Sequence, residues 1–276
     1  MILVHLTNGF GNNLFQYIAA RQLAEFHEQD LLVAPPSSDY YAIRDLRNVG
    51  VNFKDINFHG QAIMINESNY KNAFDEELKN HNFIVQGYFE DYSFFHENID
   101  FIKSWFPKIQ KRKDNDLVIH FRAGDRLFYK NEFEYKPKVK SFINAINKFD
   151  FENLHIVTDM PDWQHISAED IQSMKFHVNV PSHERVNSQL SVDYFNSFVD
   201  GLSSYNPIVE KRTISEDFNF IRSFKNILFQ HGTLGWWAAV LSDAEKVGVY
   251  GPWRPWKGTA NKNLSQIPLN NWFKWK

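Results

Sequence analysis

An apolar run that ends in an arginine and a glycine constrains the fold of this chain more than any other segment. Residues 117–121 are Leu-Val-Ile-His-Phe, and Arg122 and Gly124 follow within three positions. The pattern predicts a buried strand that stops at a turn. Because side chains alternate along a strand, His120 and Arg122 share one face of it. A planar, permanently charged guanidinium at the carboxyl end of such a strand suits a phosphate. Taken alone, the segment fits equally well an arginine paired with an acidic neighbour and a histidine in the core.

Strand, turn and helix patterns alternate along the whole chain, which predicts the α/β fold class. A turn rich in glycine and asparagine at 7–13 follows the first strand, and a helix continues to about Glu28. The predicted strands are 2–6, 31–34, 62–65, 83–89, 117–121, 154–159, 176–180 and 226–229, and the later predicted helices are 94–105, 139–149, 215–223 and 234–241. The polar segment 181–214 predicts an irregular insertion.

The charged stretch 111–116 separates two such α/β series. It favours a boundary between a Rossmann-like domain of residues 1–112 and a second one of residues 113–276. Asp114 and Asp116 form an Asp-x-Asp pair, a spacing that holds a metal in many enzymes. The pair precedes a strand instead of following one, so we favour a solvated turn at this point and expect no metal site.

Composition and the chain ends exclude several classes of function. The net charge of −3 offers no basic excess for a phosphate backbone, so we expect no nucleic-acid partner. The chain has no cysteine, which excludes disulfides, thiolate metal sites and a cysteine nucleophile. Residues 1–5 do not fit a signal peptide and no apolar run is long enough to span a membrane, so we expect a cytoplasmic protein. The tail 270–276 mixes aromatic residues with lysines, which fits peripheral contact with a membrane or, as we favour, packing onto a domain.

Two helix starts in the second half carry further candidate binding residues. Thr233 follows Gly232 between a short strand and a helix, so Thr233 is predicted to cap the helix and to face an anion with the nearby N–H groups. Ser215 is predicted to cap the helix that carries Asp217 in its first turn. Together with Arg122 on another strand end, Gly232 and Thr233 would form a two-sided phosphate cradle.

Five segments, in this order along the chain, resemble motifs of the α-1,2-fucosyltransferase family. They are Gly-Phe-Gly-Asn-Asn-Leu-Phe-Gln-Tyr at 9–17, Gln-Gly-Tyr-Phe-Glu at 86–90, His-Phe-Arg-Ala-Gly-Asp at 120–125, Val-Thr-Asp-Met-Pro-Asp-Trp at 157–163 and Gly-Thr-Leu-Gly-Trp-Trp-Ala-Ala at 232–239. The third is similar to the family's His-x-Arg-Arg-Gly-Asp motif, with Ala123 in place of the second arginine.

The resemblance implies a GT-B-like fold, in which two Rossmann-like domains face each other across a cleft. It implies an inverting glycosyltransferase that takes fucose from GDP-fucose without a metal or other cofactor. The first domain would bind a glycan acceptor and the second the GDP-sugar donor. A role in bacterial surface-polysaccharide synthesis would follow, and a lipid-linked acceptor would bring the enzyme to the inner membrane as a peripheral protein.

The same resemblance implies roles for residues of the donor site. Arg122 would hold the β-phosphate, His120 would lie near the guanine, and Asp217 would accept hydrogen bonds from the guanine N–H groups. Arg122 would also be catalytic, because charge develops on the β-phosphate as the bond from sugar to phosphate breaks. Asp125 would act either as the general base for the acceptor hydroxyl or as an orienting partner of Arg122, and we favour orientation because the pairing lowers its pKa.

The remaining implied site residues lie at two helix starts. Thr233 would bind a phosphate oxygen, with Gly232 and Leu234 beside it, and Gly11 and Asn12 would lie where donor sugar and acceptor meet. Two alternatives stay open at this point. The fold could use another nucleotide sugar, or the chain could be a catalytically silent sugar- or nucleotide-binding protein, which the loss of an arginine at Ala123 would suit.

Overall fold

The computed structural model shows an α/β protein built on two parallel sheets, one from each half of the chain. The structure describes residues 1–7, 9–38, 40–54, 58–124, 127, 136–160, 162–174, 187–230, 232–251 and 271–275. The α/β fold class predicted from the sequence is confirmed. The strand predicted at 176–180 lies outside the described residues.

The first sheet has four parallel strands in the order β2-β1-β4-β3. They are β1 (Ile2–His5), β2 (Leu31–Ala34), β3 (Ala62–Ile65) and β4 (Asn82–Val85). Val4 of the central strand β1 lies between Val33 and Val85 in the register. Strands of a parallel sheet are covered on both faces, which is why these runs are apolar instead of alternating.

The second sheet has six parallel strands in the order β10-β9-β8-β5-β6-β7. They are β5 (Leu117–Phe121), β6 (Leu154–Thr158), β7 (Ile208–Val209), β8 (Asn226–Phe229), β9 (Lys246–Tyr250) and β10 (Trp272–Trp275). Every residue of β5 is buried, as the apolar run predicted. Sequence analysis missed β9, where Gly248 interrupts a short apolar run; a Cβ there would lie 2.6 Å from Leu228 Cδ1 and 2.8 Å from Phe273 Cζ.

Helices connect these strands and cover the sheets. The described helices are α1 (Phe10–His27), α2 (Ile43–Asn48), α3 (Ile99–Ser104), α4 (Val139–Ile146), α5 (Ala168–Ser173), α6 (Ser188–Ser203), α7 (Ile214–Arg222) and α8 (Thr233–Val240). Among them, none combines the length and the apolar character that crossing a bilayer requires.

The largest apolar cluster is shared by both halves of the chain. The ring of Phe15 in α1 lies 5.1 Å from that of Trp236 and 4.7 Å from that of Trp237, both in α8. Phe10 at the start of α1 meets Phe218 of α7 edge-on at 5.3 Å. The core of the first sheet therefore includes helices of the second half, while a domain boundary near residue 112 stays a prediction.

Three helix starts differ from the sequence prediction. Helix α1 begins at Phe10, so the second part of the turn predicted at 7–13 is helical; burial of Phe10 against Phe218 favours the earlier start. Helix α7 is capped by Thr213, not Ser215, because Thr213 and Glu216 form a reciprocal capping box. Helix α8 has Gly232 at its N-cap position and no side-chain cap, so Thr233 does not cap it.

Two segments between elements also differ. The helix predicted at 94–105 is broken into 3₁₀ turns at Tyr92–Phe94 and His96–Asn98 before α3, since the Asp91 carboxylate caps a separate turn there. The insertion predicted as irregular contains the 16-residue helix α6, whose buried residues recur at helical spacing between polar ones.

The charged stretch before β5 is less exposed than predicted. Asp116 is only 2% exposed. Its carboxylate accepts hydrogen bonds from the Asn153 backbone at 3.1 Å and from Arg112 at 2.9 Å, and its Oδ2 lies 3.0 Å from His155 Nε2. The pair Asp114 and Asp116 is thus not a solvated turn, because Asp116 joins the starts of β5 and β6.

The aromatic tail packs into the protein, as the favoured interpretation predicted. Trp272 and Trp275 are buried on β10, and the Trp275 ring lies 4.5 Å from Phe142 and 4.8 Å from Tyr250. Lys274 between them is exposed.

We expect Trp275→Ala to lower the free energy of unfolding by about 3–5 kcal/mol, because it removes a large buried ring from the edge of the second sheet. The exposed neighbour provides the control: Lys274→Ala should change the same quantity by less than about 0.5 kcal/mol. Urea unfolding followed by circular dichroism measures both. Equal stability of the two variants would contradict the packing role.

Candidate functional site

The candidate site begins at the carboxyl end of β5. His120 is the fourth residue of that strand and is buried, and Arg122 follows the strand with partial exposure. Ends of parallel strands at this edge of a sheet form the crevice in which α/β proteins bind ligands. The structure therefore places both predicted side chains where a ligand would enter.

Contacts from both neighbouring strands fix the backbone around Arg122. The Asp159 carboxylate, just after β6, accepts hydrogen bonds from the N–H groups of Ala123 at 2.8 Å and Gly124 at 2.9 Å. On the other side, the Gln230 amide after β8 donates to the Arg122 carbonyl. A Cβ on Gly124 would lie 2.2 Å from an Asp159 carboxylate oxygen, so this contact requires glycine. These contacts preorganise Arg122 for a ligand.

The amino end of α8 packs directly on the two candidate side chains. Gly232 has a φ of +122°, a backbone conformation that favours glycine. A Cβ there would lie 3.4 Å from both Arg122 Cδ and His120 Cε1. A Cβ on Gly235, one turn into the helix, would lie 2.5 Å from His120 Nδ1. Arg122, His120 and the first turn of α8 therefore form one contact group.

His120 is held in its neutral form. Burial, with a smaller effect from the charge of Arg122, lowers the pKa of His120 to about 3. Its Nδ1 has no hydrogen-bond partner among the described residues. A neutral imidazole leaves Arg122 as the cation of this contact group.

The amino ends of α1 and α8 are in direct contact. The Thr233 hydroxyl donates a 2.7 Å hydrogen bond to Asn12 Oδ1. A Cβ on Gly11 would lie 2.4 Å from both Leu234 N and Thr233 C, so the two backbones are in direct contact. Neither helix has a side-chain cap or an acidic residue in its first turn. The N–H groups of two helix amino ends, which carry partial positive charge, thus lie close to Arg122.

Asp217 lies in the first turn of α7, at the same edge of the second sheet. Burial raises the pKa of Asp217 to about 7, opposed by the charge of Arg212, whose Nη1 is 3.9 Å from Asp217 Oδ1. The next residue, Phe218, packs on Phe10 in the first turn of α1. Asp217 therefore lies next to the contact between α7 and α1, and it can change its protonation near neutral pH.

Hydrogen bonds also hold a loop of the first sheet, as they hold the loop after β5 in the second. Glu67, after β3, accepts hydrogen bonds from the N–H groups of Tyr88 at 2.7 Å and Phe89 at 3.1 Å. One turn after Asn12, the buried Gln16 amide donates to the Gly87 carbonyl at 2.8 Å. The loop after β4 is thereby fixed next to the amino end of α1.

The structure brings most of the predicted site residues together. Direct contacts join residues from both halves: Gly11, Asn12, His120, Arg122, Gly232, Thr233 and Leu234. Asp217 lies on the neighbouring helix, and Asp125 lies outside the described residues, so both of its possible roles stay predictions. Sequence analysis named no site role for Asp159 and Gln230. Asp159 ends a predicted strand and Gln230 directly follows one, and this position is the signal that would have found them.

Two further observations limit what the site can be. Across the described part of the chain, no group of three or more His, Asp or Glu side chains has a geometry that could hold a metal ion. A groove of about 540 Å³ lies at the opposite end of α1, between Tyr17, Arg21, Asp30 and Lys54. Its positive and negative side chains pair with each other, as Lys54 does with Asp30. The described lining therefore offers no cluster of like charges to a ligand.

Comparison with known proteins gives similarity in structure but not in sequence. No family model matches the sequence, and no curated protein matches it either. Among solved structures, the chain is similar to NodZ alpha-1,6-fucosyltransferase in a crystal soaked with GDP-fucose. The TM-score is 0.40 and the identity 12%, over 89% of this chain and 93% of that one. A similarity of this size assigns no activity, so function has to be argued from the site itself.

We expect Gly11→Ala to separate α1 from α8, because its new methyl group would meet backbone atoms that cannot rotate away. The free energy of unfolding should fall by about 1–3 kcal/mol. Gly9→Ala is the matched control, since a Cβ there meets only the Tyr41 hydroxyl at an ordinary 3.6 Å. Urea unfolding measures both variants, and a Gly11→Ala protein as stable as Gly9→Ala would show that the two helices are not in contact.

Proposed function

We propose that this protein is a glycosyltransferase that transfers fucose from GDP-fucose to a glycan hydroxyl with inversion. The observation that carries the proposal is the convergence of two uncapped helix amino ends with Arg122 at the cleft. Three of the five segments that resemble family motifs meet in the same place, where they supply Gly11, Arg122 and Thr233. Residues spread over the whole chain thus form one site for an anion.

The chemistry of transfer explains why such a site is needed. As the bond from fucose C1 to the phosphate oxygen breaks, negative charge develops on the β-phosphate of the leaving GDP. The Arg122 guanidinium and the N–H groups at the start of α8 would stabilise that charge. Preorganised donors of this kind do the work that a metal ion does in other enzymes.

Guanine recognition is proposed for Asp217. An ionised carboxylate can accept from two adjacent N–H donors of guanine, which uracil does not present in the same arrangement. Partial burial of Asp217 strengthens these hydrogen bonds. When a wrong base binds, the carboxylate is left without a donor, which costs binding free energy. The neutral His120, which contacts the first turn of α8, would lie near the same nucleotide.

The acceptor would enter from the first sheet, near Gly11 and Asn12. Its hydroxyl must lose a proton, and Asp125 remains our proposed orienting partner of Arg122, with the general base as the alternative. We propose a glycan acceptor, either free or lipid-linked, and a cytoplasmic enzyme that contacts the inner membrane at most peripherally. A role in bacterial surface-polysaccharide synthesis is part of the same proposal.

Calorimetric titration with GDP, GDP-fucose and UDP in the presence of EDTA tests the proposal. We expect GDP and GDP-fucose to bind more tightly than UDP, and GDP to be released from GDP-fucose when glycan acceptors are added. Arg122→Ala should weaken the binding of GDP and remove about 2–4 kcal/mol of transition-state stabilisation. Arg21→Ala, an arginine at the far end of α1, is the control and should match the wild type.

Three outcomes of that titration would count against the proposal. Tighter binding of UDP than of GDP would assign another nucleotide sugar. A stable GDP complex without turnover on any glycan would favour a silent binding protein. Wild-type turnover by Arg122→Ala would remove Arg122 from the site.

The preference for GDP over UDP should depend on pH. The carboxylate form of Asp217 accepts the guanine N–H groups, so the ratio of GDP to UDP affinity should rise as pH increases through about 7 and then level off. Using the ratio cancels the titration of the terminal phosphate, which both nucleotides share. The ratio should be lower and independent of pH in Asp217→Asn; a wild-type ratio that falls with rising pH would show that the protonated acid binds the base.

A further inference from the structure

A buried carboxylate from the first half of the chain contacts the first turn of α7. Asp45, on α2, accepts two hydrogen bonds through the same oxygen, Oδ1: from the Ser215 N–H at 2.9 Å and from the Ser215 hydroxyl at 2.7 Å. Asn48, one turn later on α2, donates to the Ser215 hydroxyl at 3.1 Å. Asp45 is 9% exposed and Ser215 is 2% exposed.

These bonds add to the capping box that Thr213 and Glu216 form at the same turn. The first N–H groups of a helix have no partner within the helix. In α7, Thr213 accepts from the Glu216 N–H at a long 3.4 Å, whereas Asp45 supplies a short, charge-assisted bond to the N–H of Ser215. Asp45 and Ser215 are 170 residues apart in sequence, so the bond joins the two halves of the chain.

Helix geometry connects this contact to Asp217. At 100° per residue, Ser215 and Phe218 lie on one side of α7, which faces the first half, and Asp217 projects to a different side, near Arg212. The Asp45 contact and the packing of Phe218 on Phe10 therefore hold the helix at two points. Ile221 and Arg222 anchor the far end of α7, so without the Asp45 contact its first turn could shift relative to the first half and move the Asp217 carboxylate.

We propose that Asp45 is a positioning residue for guanine recognition: by binding the backbone and hydroxyl of Ser215, it sets the orientation of the Asp217 carboxylate at the nucleotide site. This inference rests on the proposed function and deepens it. It gives the first half of the chain a part in donor selectivity, although donor binding belongs to the second half.

The test compares GDP with inosine diphosphate, which lacks the 2-amino group of guanine and otherwise has the same ring system and phosphates. A misplaced Asp217 loses the second hydrogen bond to guanine, the one from the 2-amino group. Inosine diphosphate makes only one hydrogen bond to Asp217, so its binding depends less on the position of the carboxylate. In Asp45→Ala the ratio of GDP to inosine diphosphate affinity should fall by roughly tenfold. Asp45→Asn should retain most of the ratio, because both bonds use one oxygen and an amide oxygen can accept both.

Two further variants separate positioning from stability. Gln22→Ala removes buried hydrogen bonds to Tyr70 and Phe94 within the first half, so it should lower stability and leave the ratio unchanged. Ser215→Ala removes the hydroxyl bond and keeps the backbone one, so it should lower the ratio less than Asp45→Ala does. Ser215→Ala also replaces Asp45→Ala as the deciding variant if the latter does not fold.

The outcomes distinguish this inference from the proposed function. A folded Asp45→Ala or Ser215→Ala protein with the wild-type ratio overturns the positioning role while GDP selectivity stands. An equal loss in Asp45→Asn and Asp45→Ala overturns it too, because the charge and not the geometry would then matter. A wild-type protein that does not prefer GDP to inosine diphosphate or UDP overturns the proposed function itself, and the role of Asp45 with it.

Discussion

The contact between the amino ends of α1 and α8 is the constraint on which the rest of the structure depends. Two helix amino ends carry the same partial charge and repel each other. Here the Asn12–Thr233 hydrogen bond and a glycine at position 11 keep them together, and the aromatic rings of Phe15, Trp236 and Trp237 pack behind them. Apolar burial thus offsets an electrostatic cost, and an anion bound between the two ends would relieve it.

Both sheets stabilise their loops in the same way. In each, a carboxylate that follows one strand accepts two consecutive backbone N–H groups of the loop after the neighbouring strand: Glu67 in the first sheet and Asp159 in the second. In each, a glycine, Gly87 or Gly124, leaves the space that the carboxylate occupies. The polar groups of buried loops must be satisfied somewhere, and a neighbouring strand end is the nearest source.

Local pattern was enough to predict the parts of the fold that depend on local chemistry. The apolar run of β5 and the arginine after it gave the strand, its burial and the position of Arg122. Helix starts were harder to predict. Helix α1 begins at Phe10 because of a distant contact, and α7 is capped by Thr213 although the neighbouring Ser215 is an equally plausible cap in the sequence. The Asp45–Ser215 bond could not be predicted, since it joins two polar residues 170 positions apart and neither stands in a motif.

The shared aromatic core has a consequence for synthesis of the chain on the ribosome. Helix α1 emerges well before its partner α8, since Thr233 comes 221 residues after Asn12. At typical elongation rates the apolar face of α1 waits for roughly 10–40 s before α8 can cover it. During that time Phe15 lacks its partners Trp236 and Trp237, so the final packing of the first half depends on synthesis of the second.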